Sequence, residues 1–188
     1  MSHNKRNPFQ KAGILCLALV LGLGAIGVGY AHWTETLNIQ GSVGTGIWET
    51  CETGFAWGGS YASDFSDYGF NNWGWTNGGL PVGEYKFFIY AAAGGGSGKL
   101  VGFLTVEYGC STVVVTYNMY PGFTMTETQL HVGAEPFPRL NNGNYTVAPG
   151  QYPYKHDELG NVTTDSYTIA GLSGDIYVIG HAVVCGSF

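Results

Sequence analysis

Apolar and polar residues alternate almost strictly over residues 33–43. Trp33, Leu37, Ile39 and Val43 share one parity, and Thr34, Thr36, Asn38, Gln40 and Ser42 share the other. A period of two with one apolar side predicts a half-buried strand. Gly44-Thr45-Gly46 ends it, and a second strand-like run starts at Ile47. Further strand patterns cover 84–91, 100–108, 112–119, 125–132, 144–147, 165–170 and 175–184. Tyr108-Gly109-Cys110-Ser111 predicts a two-residue hairpin turn with Gly109 first, the type II′ arrangement. Asn77-Gly78-Gly79 predicts another turn. Pro136, Pro138, Pro149 and Pro153 exclude a central strand from the stretch that holds them. Short strands at this spacing predict an all-β fold, an antiparallel β-sandwich of immunoglobulin-like or jelly-roll type.

Ahead of the strands, residues 12–30 carry no charge and follow Lys5, Arg6 and Lys11. The run ends in Gly29-Tyr30-Ala31, with small residues where a signal peptidase reads. This predicts a hydrophobic leader helix and a signal peptide over 1–31, leaving 32–188 as one secreted β-sandwich domain. The destination is extracellular or the cell surface. The run also has the length to cross a bilayer, so an uncleaved leader would serve as an anchor and the one link to membrane.

Removal of the leader leaves Lys86, Lys99, Arg139 and Lys155 against all 13 acidic residues. So acidic a chain is repelled by phosphate backbones and anionic lipid, which excludes nucleic acid as a partner. It also leaves Cys51, Cys110 and Cys185, an odd number, so one thiol has no mate within the chain. Cys110 sits in the hairpin turn. Cys51 and Cys185 adjoin strand-like runs near opposite ends and form the favoured pair.

Residues 55–75 interleave Phe55, Trp57, Tyr61, Phe65, Tyr68, Phe70, Trp73 and Trp75 with Gly, Ser, Asp and Asn. Such a loop can stack rings on sugar faces while its carboxylates take hydroxyls, which makes Trp57, Asp64, Asp67, Trp73 and Trp75 the candidate ligand-binding residues. Trp73 and Trp75 share strand parity. The plainer alternative is that the rings cap the open end of a small sandwich, burying apolar area at about 25 cal/mol per Å². Asp64, Asp67, Asn71 and Asn72 hold enough oxygens for a weak calcium site, though local turn hydrogen bonding uses the same residues. Calcium is the one cofactor with any support. Glu127, Gln129 and His131 share one strand face, as do Asp175, Tyr177, Ile179 and His181. Neighbouring strands would then bring His131 and His181 together at a transition metal, but no close ligand pair in the sequence supports assigning one. The chain has no Gly-x-Ser-x-Gly elbow, zinc-protease helix motif or P-loop, so the expectation is a protein that is not an enzyme.

Two resemblances add to this. The segment GVGYAHWTETLNIQGSVGTG, residues 27–46, resembles the leader and first strand of the TasA/camelysin family. Those exported proteins build biofilm or pilus-like fibres in which the N-terminal strand of one subunit completes the sheet of the next. The resemblance implies that Trp33, Leu37, Ile39 and Val43 form an assembly strand and that the partner is another copy of the chain. The segments WGWTNG, LVGFLTVEYGCSTVVVTYNM, TETQLHVG, APGQYPYKH and DIYVIGHAVVC are similar to a β-rich module of secreted bacterial and archaeal proteins. That likeness implies export and fold without implying a chemistry. The expected function is a structural or adhesive protein of the cell surface or extracellular matrix, with a carbohydrate-binding module built on 55–75 as the alternative.

Overall fold

The computed structural model describes residues 50–93 and 98–188. The leader over 1–31 and the strand over 33–43, with Trp33, Leu37, Ile39 and Val43, lie outside the described residues.

The described chain is mostly antiparallel β-sheet. Its strands are β1 (Thr50–Trp57), β2 (Ala62–Asp64), β3 (Trp75–Leu80), β4 (Gly83–Ala91), β5 (Lys99–Tyr108), β6 (Thr112–Met119), β7 (Phe123–Gly133), β8 (Tyr154–His156), β9 (Thr164–Ala170) and β10 (Ile176–Gly186). They join in one hydrogen-bonded path, β2-β3-β10-β1-β4-β5-β6-β9, with β7 also on β10 and β8 beyond β7. β7 runs along one edge of β10 from Tyr177 to Gly186. β3 and β1 divide the other, β3 at Ile176 and Val178 and β1 at His181–Gly186.

The period-two pattern explains the regular part. Phe87 and Ile89 of β4, Leu104 and Val106 of β5, and Val113, Val115 and Tyr117 of β6 point into one core. Lys86, Phe88, Glu107 and Thr105 point the other way. The core closes because the sheet folds back on itself. The Tyr117 hydroxyl donates to the Gln129 carbonyl at 3.1 Å, and the Tyr167 hydroxyl to the Thr128 carbonyl at 3.0 Å. The Thr128 hydroxyl donates to Asp165, and Met125 bridges to Val162. These bonds join β6 and β9 to β7, and Leu130, Met125, Val178, Ala182 and Val184 complete the interior.

β10 is buried on both faces. Its outer face lies under residues 58–74 and 134–152, whose Phe65, Phe137, Val147 and Tyr152 form a second apolar cluster with Phe55 of β1 and Ile179 of β10. Glu135 and Arg139 pin part of this cover with two hydrogen bonds at 2.7 and 2.8 Å, and the guanidinium lies 4.2 Å from the Tyr145 ring centre.

Three local expectations fail. Asn77-Gly78-Gly79 is strand, inside β3, and no turn. The buried Asn77 amide donates to the Ala56 and Val178 carbonyls at 3.0 and 3.2 Å and accepts the Gly58 N–H at 2.7 Å. It therefore ties β1 to β10, and tertiary hydrogen bonds override a local turn preference. Gly78 is required by close approach, since a Cβ there would lie 1.9 Å from the Tyr177 ring. Second, 144–147 is not a strand; Tyr145 makes a single bridge to Arg139 within the cover. Third, the β5–β6 turn is shifted by one residue. Gly109 N–H donates to the Thr112 carbonyl at 2.8 Å, so Cys110 and Ser111 are the turn residues. Neither has positive φ, and nor has Gly109, which excludes type II′.

Candidate functional site: two clefts that share Trp73

β1 carries Trp57 at its end, opposite Phe88 of β4, and the same register sets Phe55 opposite Tyr90. β3 starts at Trp75. Gly74, with φ of 140°, precedes it, and a Cβ there would meet the Phe65 ring at 2.4 Å. This close turn sets Trp73 and Trp75 side by side, with ring centres 6.0 Å apart. Trp75 lies 6.5 Å from Tyr90, and Tyr90 6.2 Å from Trp57. All three pairs meet edge to face, and Trp73 and Trp75 also pack in part against the second apolar cluster. Trp57, Trp73, Trp75, Tyr90 and Asp64 line an open cleft of about 450 Å³.

Of the five candidate ligand residues, Trp57, Asp64, Trp73 and Trp75 meet in this cleft. Asp67 does not line it. Asp64 and Asp67 form a capping box on the short 3-10 turn Phe65–Tyr68. The Ser66 N–H donates to Asp64 Oδ1 at 2.9 Å and the Asp64 N–H to Asp67 Oδ2 at 3.1 Å. Each carboxylate gives one oxygen to the turn, Asp64 its Oδ1 and Asp67 its Oδ2, and of the two Asp64 lines the cleft. The aromatic stretch divides in the same way. Phe55 and Phe65 are core, and Trp57, Trp73 and Trp75 form a wall.

A second cleft of about 480 Å³, also lined by Trp73, opens over the outer face of β8, β7, β10 and β1. The register aligns Lys155, Gln129, His181 and Phe55 in one row across those four strands. Glu127 and Asp157 stand beside the row, and all six line the cleft. Gln129 Nε2 donates to Glu127 at 3.1 Å and to Asp157 at 3.4 Å. Carboxylates only accept, so the amide nitrogen must face them and Oε1 must face His181. Gln129 Oε1 bonds His181 Nδ1, which must carry the proton. Nε2 of His181 is then a bare lone pair. Burial pushes the His181 pKa down to about 3, so the ring is neutral at physiological pH.

His131 and His181 do lie on adjacent strands and the same face. The register nevertheless sets His131 opposite Ile179 and gives His181 to Gln129. His131 Nε2 donates to the Glu135 carbonyl at 2.9 Å, and its buried Nδ1 has no partner. Burial also lowers its pKa. The two imidazoles do not converge, and among the described residues no group of three or more His, Cys, Asp or Glu is arranged around a common ion.

Cys51 and Cys185 face each other across β1 and β10 and are bonded, S–S 2.00 Å. Cys110 is exposed with a free thiol. Among the described residues no helix is long and apolar enough to cross a membrane.

Two parts of this site escape the sequence pattern. Tyr90 falls on the outward parity of β4 with Lys86 and Phe88, and aromatic residues on that parity are the available signal. The Glu127–Gln129–His181 relay depends on β7 pairing with β10 in one register, which no local pattern encodes. Comparison with protein-family models, curated proteins and solved structures finds no match to this chain.

Proposed function

We propose that this chain is a secreted adhesive protein of the cell surface or extracellular matrix, a β-sandwich that holds carbohydrate in the cleft of Trp57, Trp73, Trp75 and Tyr90. The observation that carries this reading is the convergence of four ring systems and Asp64 on one open cleft. Sugar rings have apolar faces and hydroxyl edges, and such a wall with a carboxylate at its side complements both. The role is binding, without a covalent step or a cofactor. Glycan-array screening followed by calorimetry tests it. Trp73→Ala and Trp75→Ala should each weaken the selected glycan at least tenfold, about 1.4 kcal/mol, while the circular dichroism spectrum is kept. Unchanged affinity in both variants, or no glycan bound by the wild type, would overturn it. Export predicts that the mature protein begins at His32, which intact mass reads directly.

Assembly into fibres is a second reading, favoured by the alternation over 33–43, the TasA/camelysin resemblance and the edge of β9, which among the described residues pairs with β6 alone. An added strand would satisfy that edge's backbone groups. Deletion of 32–43 should then give a folded domain that cannot polymerise and accepts the missing strand as a peptide. A full-length protein that stays monomeric at all concentrations would contradict it.

A further inference from the structure

We infer that the polar cleft beside Trp73 is a second sugar subsite, and that the ligand is a neutral oligosaccharide reaching around Trp73 from one cleft into the other. This rests on the carbohydrate reading of the aromatic cleft and adds the length and charge class of its ligand.

Three observations carry it. Trp73 lines both clefts, so a chain bound on one side of its ring meets the other cleft without leaving the surface. His181 is 5% exposed and lines the polar cleft. Its Nδ1 is held by Gln129, and its Nε2 has no protein partner among the described residues. A neutral imidazole nitrogen in that position accepts a hydrogen bond from a hydroxyl, and the relay fixes the ring in the tautomer that can do so. Finally, the groups around it are complementary to hydroxyls rather than to anions. Glu127 and Asp157 accept, Lys155 donates, and Asp64 accepts at the far side of Trp73. With three carboxylates along the path and one lysine, an acidic sugar would be repelled and a neutral one would find donors and acceptors on its edges.

The same relay explains why an amide stands between the carboxylates and the imidazole. A glutamate at 129 would leave a third negative charge among Glu127 and Asp157. Glutamine passes on orientation without charge and keeps Nε2 of His181 as an acceptor.

The test is a calorimetric ladder of neutral β-1,4-linked glucose and N-acetylglucosamine oligomers, from one unit to six, on the full chain. Wild type should gain about tenfold or more in affinity once the oligomer is long enough to pass Trp73, the gain of one or two further hydrogen bonds. His181→Gln, and separately Asp157→Asn at an exposed position that does not threaten folding, should flatten the ladder at its short-oligomer value and leave short oligomers unaffected. Trp75→Ala should weaken every rung. Long-range ¹H–¹⁵N spectra should show His181 Nε2 unprotonated, with its resonance moved by the long oligomers and not by the short. If the wild-type ladder is flat, or if both polar variants keep the full gain, the second subsite is wrong while the aromatic cleft stands. If no rung and no array glycan binds wild type, the carbohydrate reading itself falls.

Discussion

The two halves of this sheet treat their outer faces differently. Across β4, β5 and β6, Lys86, Phe88, Thr105 and Glu107 meet solvent, and the strands need nothing beyond alternation. Across β1, β10 and β7 the outer face lies beneath residues 58–74 and 134–152, and Gln129, His131 and His181 are buried on it. Thr76, Asn77, Thr128, Gln129, His131 and His181 sit on β3, β7 and β10, and Thr146 in the cover. Buried polar groups cost stability unless they are hydrogen-bonded, and Asn77 and Thr128 meet that requirement by tying β1 to β10 and β7 to β9. Of the seven buried polar residues, Gln129 and His181 line the polar cleft and the other five line neither cleft, so the covered half carries both the polar groups that tie strands together and those that face a cleft.

Perturbations of the covered half should therefore be large, and those of the open half small. Opening the disulfide is the largest. Cys51 and Cys185 are 134 residues apart, so the bond closes nearly the whole described domain. Cys51→Ser with Cys185→Ser should cost about 4–5 kcal/mol, read as a fall in the denaturant midpoint. Next is acid. His181 is neutral in the folded protein with its pKa lowered to about 3, against an ordinary value near 6.5 in the unfolded chain. Above about pH 6.5 neither state binds the proton and the group is silent. As pH falls below that, the unfolded chain takes up a proton that the folded chain refuses, so stability drops by up to about 1.4 kcal/mol per pH unit until the folded pKa is reached. Glu127, Asp157 and Lys155 face the same cleft. The comparison is cleanest between pH 6.5 and 5, where His181→Gln should show a shallower loss than wild type in thermal melts.

Smaller again is Asn77→Ala, which strands the Gly58 N–H and two carbonyls and should cost about 3 kcal/mol. The smallest effect belongs to the open half. Lys86 Nζ lies 3.8 Å from the Phe103 ring centre on an exposed face, and Lys86→Ala should cost under about 1 kcal/mol. If Lys86→Ala matched Asn77→Ala in chemical denaturation, the distinction between the halves would fail.

Legibility in the sequence does not follow this division strictly, since β7 and β10 of the covered half, expected over 125–132 and 175–184, run Phe123–Gly133 and Ile176–Gly186. β4, β5, β6 and β9 follow from period-two alternation to within a residue or two at their ends, because one wet face and one dry face leave a signal in every second position. The aromatic wall was legible as composition, and Trp73 and Trp75 as a parity pair. β3 was hidden, because Asn77-Gly78-Gly79 has turn chemistry that only Tyr177 and the Ala56 and Val178 carbonyls convert to strand. The His181 relay was hidden for a related reason. Residues 129 and 181 are visible as outward-facing polar positions, but which of Gln129 and His131 stands opposite His181 is a matter of register, set by contacts far along the chain.

The central claim is that the wall of Trp57, Trp73 and Trp75 meets a sugar. The most direct measurement is a titration of the isotope-labelled protein with an array-selected soluble glycan, following the three tryptophan indole N–H resonances alongside the backbone amides of β5 and β6. The account predicts that all three indoles shift together at one affinity while the β5 and β6 amides stay still. Indoles that do not respond while the glycan binds elsewhere, on the open half, would contradict it.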